Sequence, residues 1–573
     1  MRFFDKIFRR RKHRYPYAEI APDEIFLDSR NLPEFDTNQF EGRLEKPLSQ
    51  KSIYLLGTGF LLIIGVFVFR LWNLQIADGN QYRVLAEKNR LDQTSIIASR
   101  GLIFDRTGKE LVWNEKVDGQ PFASRVYINE PGFSHVLGYV SYPQADSKGI
   151  FYRTDYIGKM GVEKAYDALL KGYNGTKTLE LNALQQVVSQ NVVVPPVGGQ
   201  DLTLSIDARV QTKLYSIMKN LADQVGFHGG SGVIMDVQTG EILAMTSYPE
   251  YSSEVMVEGK DKQAIAGYNK NPDAPFLFRA VQGLYTPGSI VKPFLALGAL
   301  NEGIISPDTV INTKGYISIP NPYHPDQPSI FNDWKNQGPI NMEQALSVSS
   351  DVYFYEVGGG YQDQPGLGID GIGKYMRMFG LGQPTGIVFN EAVGTIPNPD
   401  WKKITFPNDP TWRLGDTYHT AIGQYGVLVT PIQMVRAVAA IANNGKLLTP
   451  TILKKQDDDP VPYQQVPIPE KDFKVVQAGM RLGAISGTAA GLNMSQIEIA
   501  AKTGTAELDA GKKYTNHWVI GYYPYDHPKY AFAMVMAKGP YNNLLGGVDV
   551  ARQLFDWMWV NTPEYIDPKD LGD

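Results

Sequence analysis

A chain of 573 residues, 43% hydrophobic and 20% charged, is globular and too long for one core, so two or three domains are expected. A net charge of -5 argues against nucleic acid as a partner, and the absence of cysteine excludes disulfides, thiolate metal sites and redox pairs. The seven histidines are scattered without His-x-x-x-His or His-Glu-x-x-His spacing, and no glycine-rich nucleotide loop occurs, so neither metal nor cofactor is expected.

In chain order, residues 1–51 form a polar tail that opens with a basic cluster, Arg9-Arg10-Arg11-Lys12-His13-Arg14. Residues 53–69 carry no charge, and Arg70 and Trp72 suit a membrane interface, so 52–72 is read as a transmembrane helix. With Lys and Arg concentrated ahead of the span, the tail is expected in the cytoplasm and everything after it outside. No later apolar run reaches membrane length, so one crossing is expected.

Residues 73–205 read as an elongated, non-catalytic region. It contains Arg100-Gly101-Leu102-Ile103-Phe104-Asp105-Arg106-Thr107-Gly108, then Gly158-Lys159-Met160-Gly161-Val162-Glu163 and an amphipathic helix over 164–171. A Pro/Gly linker, Val194-Pro195-Pro196-Val197-Gly198-Gly199, precedes a strand at 202–206. The second domain, 206–565, starts with a helix over 208–225 and a hairpin of 232–237 with 241–246. A mostly helical stretch runs to about residue 445. Strands return at 500–507, 518–523 and 530–537, and a helix over 548–560 closes the chain. Strands at both ends with helices between predict an α+β domain whose antiparallel sheet joins the two ends.

The pattern centres on Tyr285-Thr286-Pro287-Gly288-Ser289-Ile290-Val291-Lys292-Pro293. Pro287-Gly288 is a turn, and the apolar run after Pro293 reads as a buried helix. Ser289 then sits in a first helical turn, where free N–H groups favour a developing anion, with the Lys292 amine leaning over the same face. A serine with a lysine one turn on is a nucleophile with a candidate base. The spacing alone is weak: Ser216-Ile217-Met218-Lys219 repeats it mid-helix, where it reads as a solvated face.

Ser349-Ser350-Asp351 is a second piece, with the Ser349 hydroxyl placed to relay a proton and Asp351 to set its orientation. Ser205-Ile206-Asp207 and Ser306-Pro307-Asp308 share the spacing without that context. Lys502-Thr503-Gly504-Thr505 is the third: a fixed cation, two hydroxyl donors, and a glycine where ligand would cross an edge strand.

In the order Ser-x-x-Lys, Ser-x-Asp, Lys-Thr-Gly, these motifs resemble the signature of the penicillin-recognising serine transferases. Residues 85–560 resemble the class B penicillin-binding proteins, most of all the elongation type, which are peptidoglycan D,D-transpeptidases. Phe278-Arg279-Ala280-Val281-Gln282-Gly283, Ile422-Gly423-Gln424, Val429-Thr430-Pro431-Ile432-Gln433 and Ala442-Asn443-Asn444-Gly445 follow in family order, and Asp351 stands where division-type relatives usually carry asparagine. The resemblance implies a transferase fold, an antiparallel sheet with an all-helical lobe, on a non-catalytic pedestal (dimerisation-type) over 73–205. Between Leu111 and His135-Val136-Leu137-Gly138-Tyr139-Val140 the chain is much shorter than elongation-type relatives, so the pedestal's head lobe is expected to be largely missing, which puts in doubt any regulatory partner docked there.

The resemblance also implies the chemistry. Ser289 attacks a D-Ala-D-Ala stem peptide, and the acyl-enzyme passes to an amine of a neighbouring strand. Lys292 must be neutral to take the Ser289 proton, a shift from about 10.4 to about 7 worth about 4–5 kcal/mol. Ser349 shuttles the proton; Lys502, Thr503 and Thr505 bind the terminal carboxylate; backbone N–H groups of Ser289 and Thr505 form the oxyanion hole. β-Lactams are the expected inhibitors, and a separate membrane glycosyltransferase the expected partner. The alternatives are a penicillin-hydrolysing β-lactamase or a penicillin-sensing receptor; no carboxylate motif for a deacylating water can be placed here, and the tail is small for a signalling domain.

Overall fold

The computed structural model describes residues 49–566 apart from 148–150, 182–186, 322–323, 325, 457, 510 and 512, and the basic cluster of the tail lies outside the described residues. The chain divides into two units, Met1–Arg90 and Leu91–Asp573. In the first, Ser49 caps a helix over Gln50–Trp72 by accepting from the Ser52 N–H, and the helix continues through a π turn at Asn73–Ala77. None of the Gln50–Trp72 side chains is buried. At about 1.5 Å per residue, the 28 residues from Gln50 to Ala77 exceed a hydrocarbon core. It is the one described helix long and apolar enough to cross a membrane.

In the second unit, five strands form the central antiparallel sheet: β1 (Gly229–Asp236), β2 (Ile242–Tyr248), β3 (Ala500–Glu507), β4 (Tyr514–Tyr523) and β5 (Tyr530–Pro540). Their order is β2-β1-β5-β4-β3, so the two ends of the domain meet along β1 and β5, and β3 is an edge. Period-two alternation buries both faces. Ile234, Val519 and Phe532 face α1 (Ala208–Val225) and the C-terminal helix (Gly547–Asn561); Val233, Ile520 and Val535 belong to the other core with the apolar helix Pro431–Ala442. That last helix is buried along its whole length, which is why it is a core helix and not a second span.

Three expectations give way here. The helix over 164–171 is broken at Tyr166 into Gly161–Ala165 and Asp167–Leu170. The region after the nucleophile is not all helix: Ile311–Thr313 pairs with Gly338–Ile340 and Tyr316–Ile319 with Ser329–Asn332. The Pro/Gly stretch 194–199 is not a free linker, because Val197 pairs with Tyr173 and the Gly199 N–H bonds the Ser99 carbonyl at 2.9 Å. A Cβ on Gly199 would lie 1.8 Å from the Leu170 carbonyl oxygen, so this backbone is packed in place.

The chain from 91 to 205 also bonds directly to the residues after it. Arg106 N–H reaches the Ile206 carbonyl, Ser205 N–H reaches the Ile452 carbonyl, and the Glu250 carboxylate accepts from the Gly132 and Ser134 N–H groups at 2.6 and 3.0 Å. The stretch between Leu111 and His135 holds a hairpin of Glu110–Glu115 with Ser124–Tyr127.

Candidate active site

Gly288 opens the nucleophile turn at φ +59°, which glycine tolerates without the Cβ penalty. The turn is a short 3-10 helix, Gly288–Val291, running straight into α2 (Lys292–Asn301). Because Pro293 has no N–H, the Ser289 carbonyl is served instead by the Lys292 N–H three residues on. Tyr285 pairs with Val429 through two backbone bonds of 3.0 Å, the Trp518 indole donates to the Thr286 carbonyl at 3.1 Å, and Gly288 N–H donates to the Gly423 carbonyl at 3.0 Å. The Ile422–Gln424 and Val429 phrases therefore serve as the frame of this turn.

Ser289 is half-buried and lines an open cleft of about 1270 Å³ together with Ser349, Asp351, Thr503, Gly504 and Thr505. The three motifs converge as the sequence led one to expect. Their internal geometry differs from expectation in three respects.

First, the fully buried Lys292 amine donates to the Ser349 carbonyl at 2.8 Å and pairs with Asp351 Oδ1 at 2.7 Å, with Ser349 Oγ at 3.5 Å. Asp351 thus holds Lys292 rather than orienting Ser349. Second, Lys502 is 1% exposed and does not face the cleft: alternation along β3 turns Thr503 and Thr505 outward and Lys502 inward, where its amine lies 2.7 Å from Ser349 Oγ and donates to the Thr503 carbonyl at 2.9 Å. Burial, then the Lys292 charge, hold this amine well below its ordinary range, with Asp351 opposing. Lys502 is thus a buried amine of lowered pKa rather than an exposed cation on the cleft wall. Third, a Cβ on Gly504 would sit 2.6 Å from the Pro287 carbonyl oxygen and 2.9 Å from Ile290 Cγ2. Glycine here lets the strand pack on the nucleophile turn.

Ser349 closes the helix α3 (Met342–Val348) in the left-handed region, φ +58° and ψ 39°. A non-glycine residue there costs on the order of 1 kcal/mol and is a mark of functional sites. The conformation delivers carbonyl and hydroxyl of one residue to two different lysines. Ser350 then caps α4 (Asp351–Gly359), accepting from Tyr353 N–H and donating to Asp333 Oδ2 at 2.6 Å; the same oxygen accepts from Val352 N–H.

Sequence reasoning passed over Asp333, and also Thr488, whose hydroxyl is 2.7 Å from that of Thr503. It passed over Gln424 as a strut as well: with its amide nitrogen toward the Glu507 carbonyl it bonds both polar groups of that residue, at 3.3 and 3.1 Å. None has a local signal, since no motif spacing marks these contacts. The repeated spacings are bland, as read: Lys219 pairs with Asp223, Ser205 Oγ serves the Ile242 carbonyl, and Asp207 caps α1. No group of His, Cys, Asp or Glu able to hold a metal occurs among the described residues.

Comparison with known proteins gives the family. Residues 230–556 match the penicillin binding protein transpeptidase domain, and 117–204 the penicillin-binding protein dimerisation domain. The peptidoglycan D,D-transpeptidase MrdA of Acinetobacter baumannii is 32% identical over 77% of this chain and 66% of its own length; that of Escherichia coli K12 is 28% identical over 87% and 92%. Among solved structures, Pseudomonas aeruginosa PBP2 in complex with WCK 5153 superposes with a TM-score of 0.68 at 28% identity, over 84% of this chain and all of that one. The Helicobacter pylori PBP2–MreC complex gives a TM-score of 0.68 at 27% identity, over 82% and 100%. A transferase sheet with its three motifs gathered in one cleft, in a chain that also carries an apolar N-terminal helix and is matched along most of its length, leaves one assignment: the chain belongs to the penicillin-binding protein family of serine peptidoglycan D,D-transpeptidases, on its elongation-type side.

Proposed function

We propose that the chain cross-links peptidoglycan stem peptides through an acyl-enzyme on Ser289. The observation that carries this is the junction beneath the cleft, where the Ser349 hydroxyl lies 3.5 Å from the Lys292 amine and 2.7 Å from the Lys502 amine. Ser289 Oγ attacks the carbonyl of a D-Ala-D-Ala terminus and expels the last D-Ala. Thr503 and Thr505, on the outward row of the edge strand, hold the terminal carboxylate. That negative charge, arriving above Lys502, favours its protonated form. A proton can then pass from Lys292 through Ser349 to Lys502, leaving Lys292 free to take the Ser289 proton. Backbone N–H groups of Ser289 and Thr505 receive the oxyanion, a contribution of about 3–4 kcal/mol per donor. An amine of a neighbouring strand then resolves the acyl-enzyme.

Residues 73–205 are the pedestal and 206–565 the catalytic domain, anchored by one helix with the tail inside and the domain outside. The basic cluster before the span supports that orientation. A membrane glycosyltransferase is the proposed partner: a structural neighbour, 25% identical, is described as a peptidoglycan synthase complex that coordinates polymerization and crosslinking. Mass spectrometry of the penicillin-treated protein should find the adduct on Ser289, and Ser289→Ala should abolish labelling by a fluorescent penicillin. Retained labelling would name another nucleophile, and rapid nitrocefin turnover would mark a β-lactamase.

A further inference from the structure

The cleft wall carries a group that the three motifs do not use. His419, on the helix Leu414–Ala421, is exposed and lines the same cleft as Ser289, Ser349 and Asp351. Its backbone carbonyl accepts from Gln424 N–H at 2.9 Å, and the neighbouring Gly423 carbonyl holds Gly288, so the segment bearing His419 is tied to the residue before the nucleophile. The Phe331 ring lies 5.5 Å away, and no hydrogen bond engages either ring nitrogen. His517 also lines the cleft, but its Nε2 is committed to Thr515 Oγ1 at 2.9 Å and its ring packs on Phe227. Among the described residues His419 is thus the cleft imidazole with free nitrogens.

The charge of the cleft matters as much. Its described lining includes the carboxylates of Glu507, Asp509 and Asp549, besides Asp351, which is paired with Lys292, and no lysine or arginine, since Lys292 and Lys502 are buried beneath it. Such a surface favours a cation. An acyl acceptor that is a primary amine arrives as an ammonium, is drawn in by these carboxylates, and cannot attack until it loses a proton.

We propose that His419 is the general base of the second half-reaction, taking a proton from an aliphatic ammonium acceptor bound in the acidic cleft. This rests on the reading of Ser289 as the acylated nucleophile. His419 removes one proton from the ammonium and becomes imidazolium. The neutral amine forms the new C–N bond as the C–Oγ bond to Ser289 breaks. The second amine proton travels through Ser349 and Lys292 to Ser289 Oγ, and the imidazolium returns its proton to water. Desolvation by the cleft walls lowers the imidazole pKa, with the carboxylates of Asp416 and Asp351 opposing, which keeps it uncharged and able to accept. The other ionisable groups close by are the Tyr355 phenol, which lines the cleft, and Lys292, paired to Asp351.

The test uses the full-length protein in detergent, a thioester depsipeptide donor and D-lysine as acceptor, with hydrolysis and aminolysis products counted separately. For His419→Gln, the aminolysis-to-hydrolysis ratio at pH 7 is expected to fall about 10- to 100-fold. The rate should also change its pH dependence. The wild type should level off once the imidazole is neutral, whereas the variant should climb about tenfold per pH unit with the free amine. His419→Asn should behave alike. A ratio within twofold of wild type, or a wild-type profile that climbs like the variant's, would overturn the assignment and leave Ser349 as the acceptor's only proton route. Penicillin labelling, measured in parallel, separates the outcomes: an unlabelled wild type refutes the Ser289 reading itself, and labelling of the variants shows that they are folded.

Discussion

Lys502 Nζ lies 2.7 Å from Ser349 Oγ, on the side of its strand turned away from Thr503 and Thr505. In the mechanism proposed above the amine therefore belongs to the proton path and not to the outward row that would hold the carboxylate. Burial and the Lys292 charge lower its pKa, so unfolding takes up a proton at any pH between the lowered value and about 10.4. Stability then rises with pH through that window and is lost on acidification. Lys502→Met should flatten this dependence and raise Tm at pH 7, while penicillin labelling slows at least ~100-fold. A variant whose Tm tracks the wild type from pH 6 to 9 would show that Lys502 is not the depressed amine.

Asp351 meets Lys292 at 2.7 Å inside the domain, where Lys292 is fully buried. Truncating one partner of such a pair leaves a buried charge short of its counter-group, at a cost of roughly 3–5 kcal/mol. Asp351→Ala should lower Tm markedly and slow acylation about 100-fold. Asp351→Asn keeps an acceptor oxygen for the amine, and acylation should stay within about tenfold of wild type. Equal rates for the two variants would rule out Asp351 as the holder of Lys292.

Gly504→Ala tests the close approach of strand and nucleophile turn. Its Cβ would press on the Pro287 carbonyl, backbone that cannot rotate away, and overpacking of this kind costs about 1–3 kcal/mol. Because the displaced backbone leads into Ser289, labelling should slow even where the variant stays folded. Unchanged labelling at unchanged Tm would mean the turn yields freely.

The elements written most clearly in the sequence were those with local punctuation. Helix 208–225 begins at the Asp207 cap and ends at Gly226 in the left-handed region, and strand 500–507 occupies the stretch read for it. The small strand pairs at 311–340 were missed because each strand is three or four residues long, too short for alternation to stand out from chance. In the site, the motifs named which groups take part, but not which amine faces which oxygen. Ser349's left-handed backbone and the inward turn of Lys502 decide that, and both depend on partners more than fifty residues away in sequence. Asp333 and Thr488 meet partners only 15 to 19 residues away, but no motif spacing marks those contacts.

Glu250 ties the loop of Gly132 and Ser134 to the strand end of the catalytic sheet. Burial pushes its carboxyl up to about 7, although the two N–H donors pull the other way. A carboxyl with a raised folded pKa keeps its proton in the native state while the unfolded chain has already released it. Its contribution to stability is therefore complete below about pH 4.5 and is lost as pH rises through 7. Glu356 is raised to about 7 by burial alone and acts in the same direction. Chemical denaturation of the full-length protein at pH 5 and pH 8 should show lower stability at pH 8. Glu250→Gln should remove part of that difference and Glu250→Gln with Glu356→Gln most of it. Gly132 and Ser134 donate to different oxygens of Glu250, and glutamine keeps one of them, so the single variant should lie somewhat below the wild type at pH 5 but lose less between pH 5 and pH 8. If it loses as much at pH 8 as the wild type does, Glu250 is charged in the folded protein across this range and its clamp is insensitive to pH.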